Sequence, residues 1–208
     1  MPASASKWDV RHREAAKRAP AEPAAIVSEW LPLLPKGPAL DLACGAGRHT
    51  LMLAARGQAV TAIDWSAAAL EILEKRAQEA GLRVRRVDAA ALTAENAGNE
   101  IRLIQADLEQ VRLPAESFDL ILCIQYLQRS LFPQISEALR PGGVLLFETF
   151  TKTQLRFAEG LRSPGHLLEP GELRTAFPQL QVLFYRELSA GQGIASLVAR
   201  KPVHEANG

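Results

Sequence analysis

Residues 39–50 read Ala-Leu-Asp-Leu-Ala-Cys-Gly-Ala-Gly-Arg-His-Thr, and this stretch decides the fold. An apolar run leads there into a turn with two glycines, and the residues that follow suit the first turn of a helix. A second apolar run, residues 60–64, begins about twenty residues after the first and ends in Asp64. A strand, a glycine turn, a helix and a second strand that ends in a carboxylate together predict a nucleotide-binding βαβ unit.

The glycine turn differs from a dinucleotide fingerprint. Residues 45–50 lack the last glycine of G-x-G-x-x-G, and Asp41 lies on the strand just before the turn. A carboxylate at Asp41 would repel a pyrophosphate, but it suits a cationic ligand such as the ammonium group of a methionine moiety. Asp64 can accept hydrogen bonds from both ribose hydroxyls of an adenosine. The pattern resembles motif I and the following acidic position of class I S-adenosylmethionine (SAM) dependent methyltransferases.

Three further stretches follow in the order and spacing of that methyltransferase core. Residues 101–107 form a strand that ends in Asp107, and residues 118–125 begin with Phe-Asp and continue as an almost uniformly apolar strand. Such a strand is typical of a parallel sheet covered on both faces. In residues 139–149, Pro-Gly-Gly ends a helix and a fifth buried strand follows at once. We therefore expect a Rossmann-like α/β fold, with a doubly wound and mostly parallel sheet.

The remaining segments predict the organisation of one domain over residues 1–208. Residues 1–34 are expected to form an N-terminal helical cap, with a helix from about residue 22 to residue 34. Residues 151–169 are polar and form a possible lid. Two last strands, near residues 181–185 and 194–200, are separated by Gly-Gln-Gly and predict an antiparallel β-hairpin at the C-terminus.

Two segments compete for the third strand of the sheet. Residues 84–88 and residues 101–107 both read as strands that end in an aspartate. We expect residues 101–107 to take this position, because Asp-Leu fits the pattern of the methyltransferases better than Asp-Ala. Residues 83–100 are then a probable insertion, and Asp88 is the alternative to Asp107 as the residue that contacts adenine.

The length, charge and apolar content of the chain limit the classes of function that we expect. The chain has 208 residues, 48% of them hydrophobic, which is enough for one sizeable core. A net charge of +1 gives no strong field toward nucleic acid or a membrane surface. No stretch of ~18 apolar residues predicts a membrane span, and the N-terminus has no apolar signal core. We expect a cytoplasmic protein whose partner is a small-molecule substrate; the oligomeric state stays open.

A narrower resemblance rests on three segments. Residues 40–48, the Tyr-Leu-x-Arg at residues 126–129 and the Phe-Glu-Thr-Phe at residues 147–150 resemble the bacterial tellurite-resistance (TehB-like) methyltransferases. The opening Trp-Asp-x-Arg at residues 8–11 is similar to the usual start of that group. The resemblance covers about residues 8–201, apart from residues 83–100, and it implies SAM as the cofactor.

The resemblance implies contacts to the ribose and to the methionine part of SAM. Gly45 and Gly47 should lie against the methionine part, with Ala43 in the same turn. Asp41 should lie near the ammonium group, and Asp64 should bind the ribose hydroxyls.

It also implies contacts to the adenine and to the site of methyl transfer. Trp65 is placed to pack on the adenine face, and Asp107 should accept from the adenine amino group beside the Leu108 backbone amide. Gln125 and Tyr126, at the tip of the fourth core strand, should border the methyl-transfer pocket.

No residue stands out as the general base. A soft anion or a thiolate needs none, whereas a hydroxyl or an amine does. Arg129 can hold an oxyanion or carboxylate substrate with both arms of its guanidinium, or it can form an ion pair at the surface. The catalytic candidates are otherwise Tyr126 and His166, with His49 and Glu148 as further possible bases. No spacing of His, Cys and carboxylate residues indicates a metal site.

These features predict a SAM-dependent methyltransferase that acts on a small molecule: a thiol, a chalcogen oxyanion or a small hydroxylated compound. Methylation of RNA or protein is an alternative, although residues 125–128 read Gln-Tyr-Leu-Gln in place of the Asn/Asp-Pro-Pro-aromatic motif of enzymes that methylate amino groups. A SAM-binding module without catalysis is another alternative. An NAD-dependent reductase is disfavoured by the missing third glycine.

Overall fold

The computed structural model describes residues 3–18, 21–92, 99–157 and 164–203. The α-helices of these ranges are α1 (Ala3–Ala16), α2 (Ala25–Trp30), α3 (Arg48–Ala55), α4 (Ala67–Glu79), α5 (Phe132–Ala138) and α6 (Glu172–Thr175). The strands are β1 (Ala39–Leu42), β2 (Val60–Asp64), β3 (Arg83–Arg86), β4 (Glu100–Gln105), β5 (Phe118–Ile124), β6 (Leu139–Phe150), β7 (Gln181–Leu188) and β8 (Ile194–Arg200).

The strands form one mixed sheet in the order β3-β4-β2-β1-β5-β6-β8-β7. The pairs from β3 to β6 are parallel, whereas β8 runs antiparallel to β6 and β7 antiparallel to β8. The predicted Rossmann-like sheet with an antiparallel C-terminal hairpin is confirmed. Because the strand order reverses direction beside β1, the carboxyl ends of β1 and β5 border the crevice in which ligands of open α/β sheets bind.

The pairing of β4 with β2 shows which of the two segments is the third core strand. Strand β4 pairs with β2 so that Ile101 lies beside Val60 and Gln105 beside Asp64, as expected for residues 101–107. Residues Arg83–Arg86 add the strand β3 outside β4, and β3 is parallel to β4. The predicted insertion includes residues 93–98, which lie outside the described ranges.

Helices cover both faces of the sheet. Ile26 of α2, Leu53 of α3 and Leu70 of α4 pack in one buried apolar cluster, while Ile135 of α5 and Leu173 of α6 pack in the other. Successive residues of a strand point to opposite faces, so each central strand contributes to both clusters. This double burial explains the nearly uniform apolar runs in the sequence.

The N-terminal segment differs from its prediction. The helix expected over residues 22–34 is the shorter α2, which passes into a 3-10 turn at Leu31–Leu33. Pro32 lies in that turn and has no N–H to continue the α-helical hydrogen bonds. Helix α1 precedes α2 and was not predicted as a separate element. None of the helices in the described part of the chain is long and apolar enough to cross a membrane.

The possible lid, residues 151–169, is attached to the sheet at its base. The Lys152 amide donates to the Leu168 carbonyl at 2.8 Å, and the Leu168 amide donates to the Phe150 carbonyl at 3.0 Å. Residues 158–163 lie outside the described ranges, and closure of this segment stays a prediction.

Candidate active site

The predicted cofactor residues converge on one edge of the sheet. Backbone hydrogen bonds join the strand ends there: the Cys44 amide donates to the Ile63 carbonyl at 3.0 Å, and the Ala106 amide donates to the Asp64 carbonyl at 3.1 Å. The residues that follow or end β1, β2, β4 and β5 at this edge include Asp41, Ala43, Gly45, Gly47, Asp64, Trp65, Asp107, Leu108 and Gln125. Their contacts with a ligand remain predictions.

Asp64 is the last residue of β2 at this edge. The residue is 8% exposed, its Oδ2 accepts a hydrogen bond from the Gly45 amide at 2.7 Å, and its Oδ1 accepts one from the Ser66 amide at 2.8 Å. Burial raises the pKa of Asp64, and these backbone hydrogen bonds oppose the shift. Each carboxylate oxygen keeps a second lone pair, so that the side chain can still accept from two hydroxyls.

The turn between β1 and α3 has a left-handed backbone. Ala43, Gly45 and Gly47 have φ angles of 53°, 55° and 81°. Gly47 is the residue before the first turn of α3, and a Cβ at this position would lie 2.1 Å from Cδ1 of the buried Leu73 in α4. The glycine therefore provides both the left-handed conformation and the close approach of α4.

Replacement of this glycine tests the tight packing. Gly47→Ala is expected to lower the free energy of unfolding by about 2–5 kcal/mol. An alanine in the left-handed conformation is strained, and its methyl group would also collide with Leu73, so the two penalties add. Gly81→Ala is the matched control, since Gly81 has a φ of 69° and a Cβ added there would meet no atom within 4 Å. The control is expected to lose about 1–2 kcal/mol. If urea unfolding shows the same loss of unfolding free energy in Gly47→Ala and Gly81→Ala, Leu73 can move aside at no measurable cost.

Asp41 is a buried carboxyl group beneath the turn. It is 1% exposed, and its Oδ2 accepts a hydrogen bond from Thr50 Oγ1 of α3 at 2.6 Å. Burial raises the pKa of Asp41 to about 7; the Thr50 hydrogen bond opposes the shift and the charge of Asp64 adds to it. A cationic group beside Asp41 would favour its charged form.

Helix α1 brings His12 to the site, a residue for which the sequence indicated no role. Asp9 accepts hydrogen bonds from Ser66 Oγ at 2.5 Å and from the Ala68 amide at 3.2 Å, which attaches α1 to the start of α4. His12, one turn further along α1, lies 3.2 Å from the position of a Cβ on Gly45. Burial lowers the pKa of His12, and the charge of Asp64 opposes this shift.

Asp107 lies two residues beyond the end of β4, whose last residue, Gln105, pairs with Asp64 of β2. Its Oδ1 accepts a hydrogen bond from the Glu109 amide at 3.0 Å. Asp88, the alternative, is exposed and follows β3, one strand further from Asp64. The position of Asp107 favours it as the adenine contact, which stays a prediction.

Gln125 and Tyr126 follow β5 on the other side of β1. Gln125 is exposed, has a φ of 58°, and its amide donates to the Glu148 carbonyl of β6 at 2.6 Å. A left-handed residue other than glycine is uncommon, and such strain clusters at functional sites. The Tyr126 hydroxyl donates to Gln128 Oε1 at 2.6 Å, and burial raises its pKa further above neutrality. Tyr126 is therefore unsuited to accept a proton as a phenolate near pH 7.

Arg129 forms an ion pair, as the alternative interpretation of the sequence had it. Its Nε and Nη2 donate to the two carboxylate oxygens of Glu172 at 2.5 and 2.8 Å. The guanidinium also donates to the carbonyls of Gly165 at 3.4 Å and Leu167 at 3.1 Å. Arg129 thus attaches residues 165–172 to the end of β5, and its bidentate face is occupied. His166 is exposed at the end of the 3-10 turn Pro164–His166.

The last two candidate bases are both buried. His49 Nε2 accepts a hydrogen bond from the Ala24 amide at 3.1 Å, and burial lowers the pKa of His49 to about 3. His49 is therefore a structural residue that joins α3 to the chain before α2. Glu148, near the end of β6, accepts a hydrogen bond from Ser196 Oγ at 2.6 Å.

Comparison with known sequences places the chain among methyltransferases. The sequence profile described as methyltransferase domain matches residues 40–147. The ubiquinone biosynthesis O-methyltransferase of Pasteurella multocida is 34% identical over 119 residues, which cover 55% of this chain and 46% of that protein. The protein of the same name from Histophilus somni is also 34% identical over 119 residues, 55% of this chain and 45% of that one. The chain thus spans about half the length of these relatives.

Comparison with solved structures concerns the fold. TehB from Haemophilus influenzae superposes with a TM-score of 0.70 at 19% identity, over 90% of this chain and 65% of TehB. The N-methyltransferase NodS from Bradyrhizobium japonicum superposes with a TM-score of 0.61 at 20% identity, over 93% of this chain and 95% of NodS. Identities this low show a shared architecture and leave the acceptor open.

Proposed function

The chain belongs to the methyltransferase domain family of SAM-dependent enzymes, and from this premise we propose that it methylates a hydroxyl group of a small molecule. When bound, SAM supplies an electrophilic methyl group on a sulfonium cation. The residues of the chain then have three tasks: to hold the adenosine, to align the acceptor with the methyl carbon, and to receive the proton of the hydroxyl.

The carboxyl edge of the sheet fits this cofactor. Asp64 is held by the Gly45 and Ser66 amides and retains lone pairs for two ribose hydroxyls. Asp41 is a buried carboxyl group whose charged form a nearby cation would favour, and the ammonium group of SAM would be such a cation. Gly45 and Gly47 give the turn its left-handed backbone, and a Cβ on either would approach His12 or Leu73.

A hydroxyl acceptor is supported by one comparison and one contact. The relatives that are 34% identical to this chain are named O-methyltransferases. Arg129, for which the sequence left open an oxyanion or carboxylate substrate and a surface ion pair, is engaged by Glu172 and by two carbonyl groups. The engagement of Arg129 is the observation that favours a hydroxyl over an oxyanion, because its bonds to Glu172 and to the two carbonyls use Nε, Nη1 and Nη2 and leave no adjacent pair of N–H groups for a bidentate oxyanion.

Transfer of a labelled methyl group tests the proposal. The protein is incubated with SAM that carries ¹³C in its methyl group and, separately, with small phenols, catechols, alkyl alcohols, thiols and tellurite. We expect an O–¹³CH₃ resonance with at least one phenol or catechol, together with stoichiometric S-adenosylhomocysteine. Label on sulfur or tellurium alone would contradict the hydroxyl acceptor. Binding of SAM without transfer to any acceptor would favour a non-catalytic binding module.

A further inference from the structure

We propose that Glu148 is the general base that accepts the proton of the acceptor hydroxyl. The inference rests on the proposed hydroxyl acceptor and names the residue that such a reaction requires. It depends on the position of Glu148 at the carboxyl edge, on the different surroundings of its two carboxylate oxygens, and on the groups that share its side of the sheet.

The position of Glu148 follows from the strand order β1-β5-β6. The glycine turn follows β1, Gln125 follows β5, and Glu148 lies beside them on β6, where its carbonyl accepts the Gln125 amide at 2.6 Å. Asp107 and Asp64, the predicted contacts of the adenosine, lie on the opposite side of β1. Glu148 therefore lies on the side of the site away from the adenosine, where an acceptor would approach the methyl group.

The carboxylate of Glu148 is held at one oxygen and open at the other. The residue is only 8% exposed, and its Oε2 accepts a hydrogen bond at 2.6 Å from Ser196 Oγ, a side chain with no exposure. Within the described part of the chain Oε1 has no hydrogen-bond partner, and it is not among the fully buried unpaired atoms. A fixed carboxylate with one accessible oxygen is the arrangement that a general base needs.

Glu148 shares its side of the sheet with the predicted methionine site. Val144 and Leu146 of β6 pack in the cluster formed with α2, α3 and α4, and Glu148 follows them by the alternation of the strand. Burial lowers the pKa of Arg48, at the start of α3, and the charges of Asp41 and Glu148 oppose that shift. Asp41 and Glu148 thus act on the same guanidinium, so the two carboxylates border one polar region.

The other candidate bases are less suited to this role. His49 Nε2 accepts the Ala24 amide, and burial lowers the pKa of His49 to about 3, so the imidazole is a weak proton acceptor. The Tyr126 hydroxyl donates to Gln128, and burial raises its pKa. His166 is exposed on the short turn beside Arg129.

The proposed step moves one proton and one methyl group. Glu148 Oε1 accepts the hydroxyl proton while the acceptor oxygen forms its bond to the methyl carbon. The bond from that carbon to sulfur breaks, and its electron pair stays on sulfur as a neutral thioether. Glu148 then releases the proton to water, so that each turnover yields one methyl ether, one S-adenosylhomocysteine and one proton.

Acceptor acidity provides the test. Catechol keeps its proton at pH 7.5, whereas the nitro group makes 4-nitrocatechol ionise near neutral pH, so only catechol needs a base. Glu148→Gln is expected to lower kcat/KM for catechol by ~100-fold or more and to leave 4-nitrocatechol within a few fold of the wild type. With catechol, the activity of the variant is expected to rise with pH toward the ionisation of the acceptor itself.

Two control variants and two further measurements separate this role from a structural one. Glu137→Gln changes an exposed glutamate of α5 and is expected to alter neither acceptor. Glu148→Asp is expected to restore part of the catechol activity. Calorimetric affinity for S-adenosylhomocysteine and the urea midpoint are expected to be unchanged in Glu148→Gln. An equal loss with both catechols, or no loss with either, would overturn the role of Glu148. Failure of the wild type to methylate any hydroxyl would instead overturn the proposed function.

Discussion

Asp64→Asn is expected to weaken the binding of SAM by about 10- to 150-fold. The substitution removes a negative charge and one acceptor oxygen at the point where the ribose hydroxyls are predicted to bind. Hydrogen bonds to a charged group contribute about 1.5–3 kcal/mol each, so the loss of one of them accounts for this range. Calorimetric titration of SAM into the wild type and the variant measures the change, with NAD as the ligand that neither should bind tightly.

Asp119→Asn is the matched control for this experiment. It makes the same chemical change near the amino end of β5, where Asp119 pairs with Arg140 at 3.0 Å. We expect SAM affinity within twofold of the wild type. Because Asp64 also accepts the Gly45 and Ser66 amides, the unfolding midpoint of each variant is compared first. A folded Asp64→Asn protein that binds SAM as tightly as the wild type would refute the ribose contact.

Asp41 is expected to make SAM binding depend on pH. Its pKa of about 7 means that the carboxyl group is protonated below neutrality and charged above it. SAM is predicted to place its ammonium group beside Asp41, so its affinity should rise with pH by up to about tenfold per unit below pH 7 and level off above it. Titrations at intervals from pH 5.5 to pH 8.5 measure this dependence.

Asp41→Asn is expected to remove most of that dependence and to bind SAM about tenfold more weakly at pH 8. His12 also faces Asp64, and its ionisation can contribute, so His12→Gln is measured in parallel. A pH dependence that survives in Asp41→Asn and disappears in His12→Gln would assign the effect to helix α1 and contradict the role of Asp41.

Asp41→Asn is expected to weaken SAM binding but to stabilise the folded protein above neutral pH. The folded-state pKa of Asp41 is raised above its ordinary value of 3.8, so the folded protein retains a proton that the unfolded chain releases. This contribution to stability is complete below about pH 4 and is lost as the pH rises through 7. Asparagine carries no charge to desolvate, so Asp41→Asn should raise the free energy of unfolding at pH 8, by at most about 4 kcal/mol. Urea unfolding at pH 5 and pH 8 measures both sides of this comparison.

The sheet and its functional edge could be predicted from the sequence because both depend on local patterns. Buried parallel strands are almost uniformly apolar, and the acids at residues 41, 64 and 107 mark where those strands end. The two glycines of the turn indicate left-handed backbone for the same local reason. The direction of the added edge strand β3 could not be predicted from its four residues, Arg83–Arg86. It depends on how that strand pairs with β4.

The contacts that sequence reasoning missed join residues far apart in the chain. His12 reaches Gly45 and Asp64 only because α1 docks on α4, and the single local signal was the Trp-Asp pair that precedes it. Arg129 was predicted either to bind a substrate or to pair at the surface, and its pairing with Glu172 depends on how residues 164–175 return to the sheet. The two oxygens of Glu148 likewise differ only because Ser196 lies opposite on β8.

The carboxyl edge of the sheet is expected to hold SAM, with its sulfur directed toward the side of the site where Glu148 lies and the acceptor is proposed to bind. A crystal structure of the protein with S-adenosylhomocysteine tests this expectation most directly. The predicted result is a ribose with both hydroxyls on Asp64, an amino group near Asp41, and a sulfur that faces the space between Gln125 and Glu148. A ligand bound away from Asp64, or a sulfur directed away from β6, would contradict it.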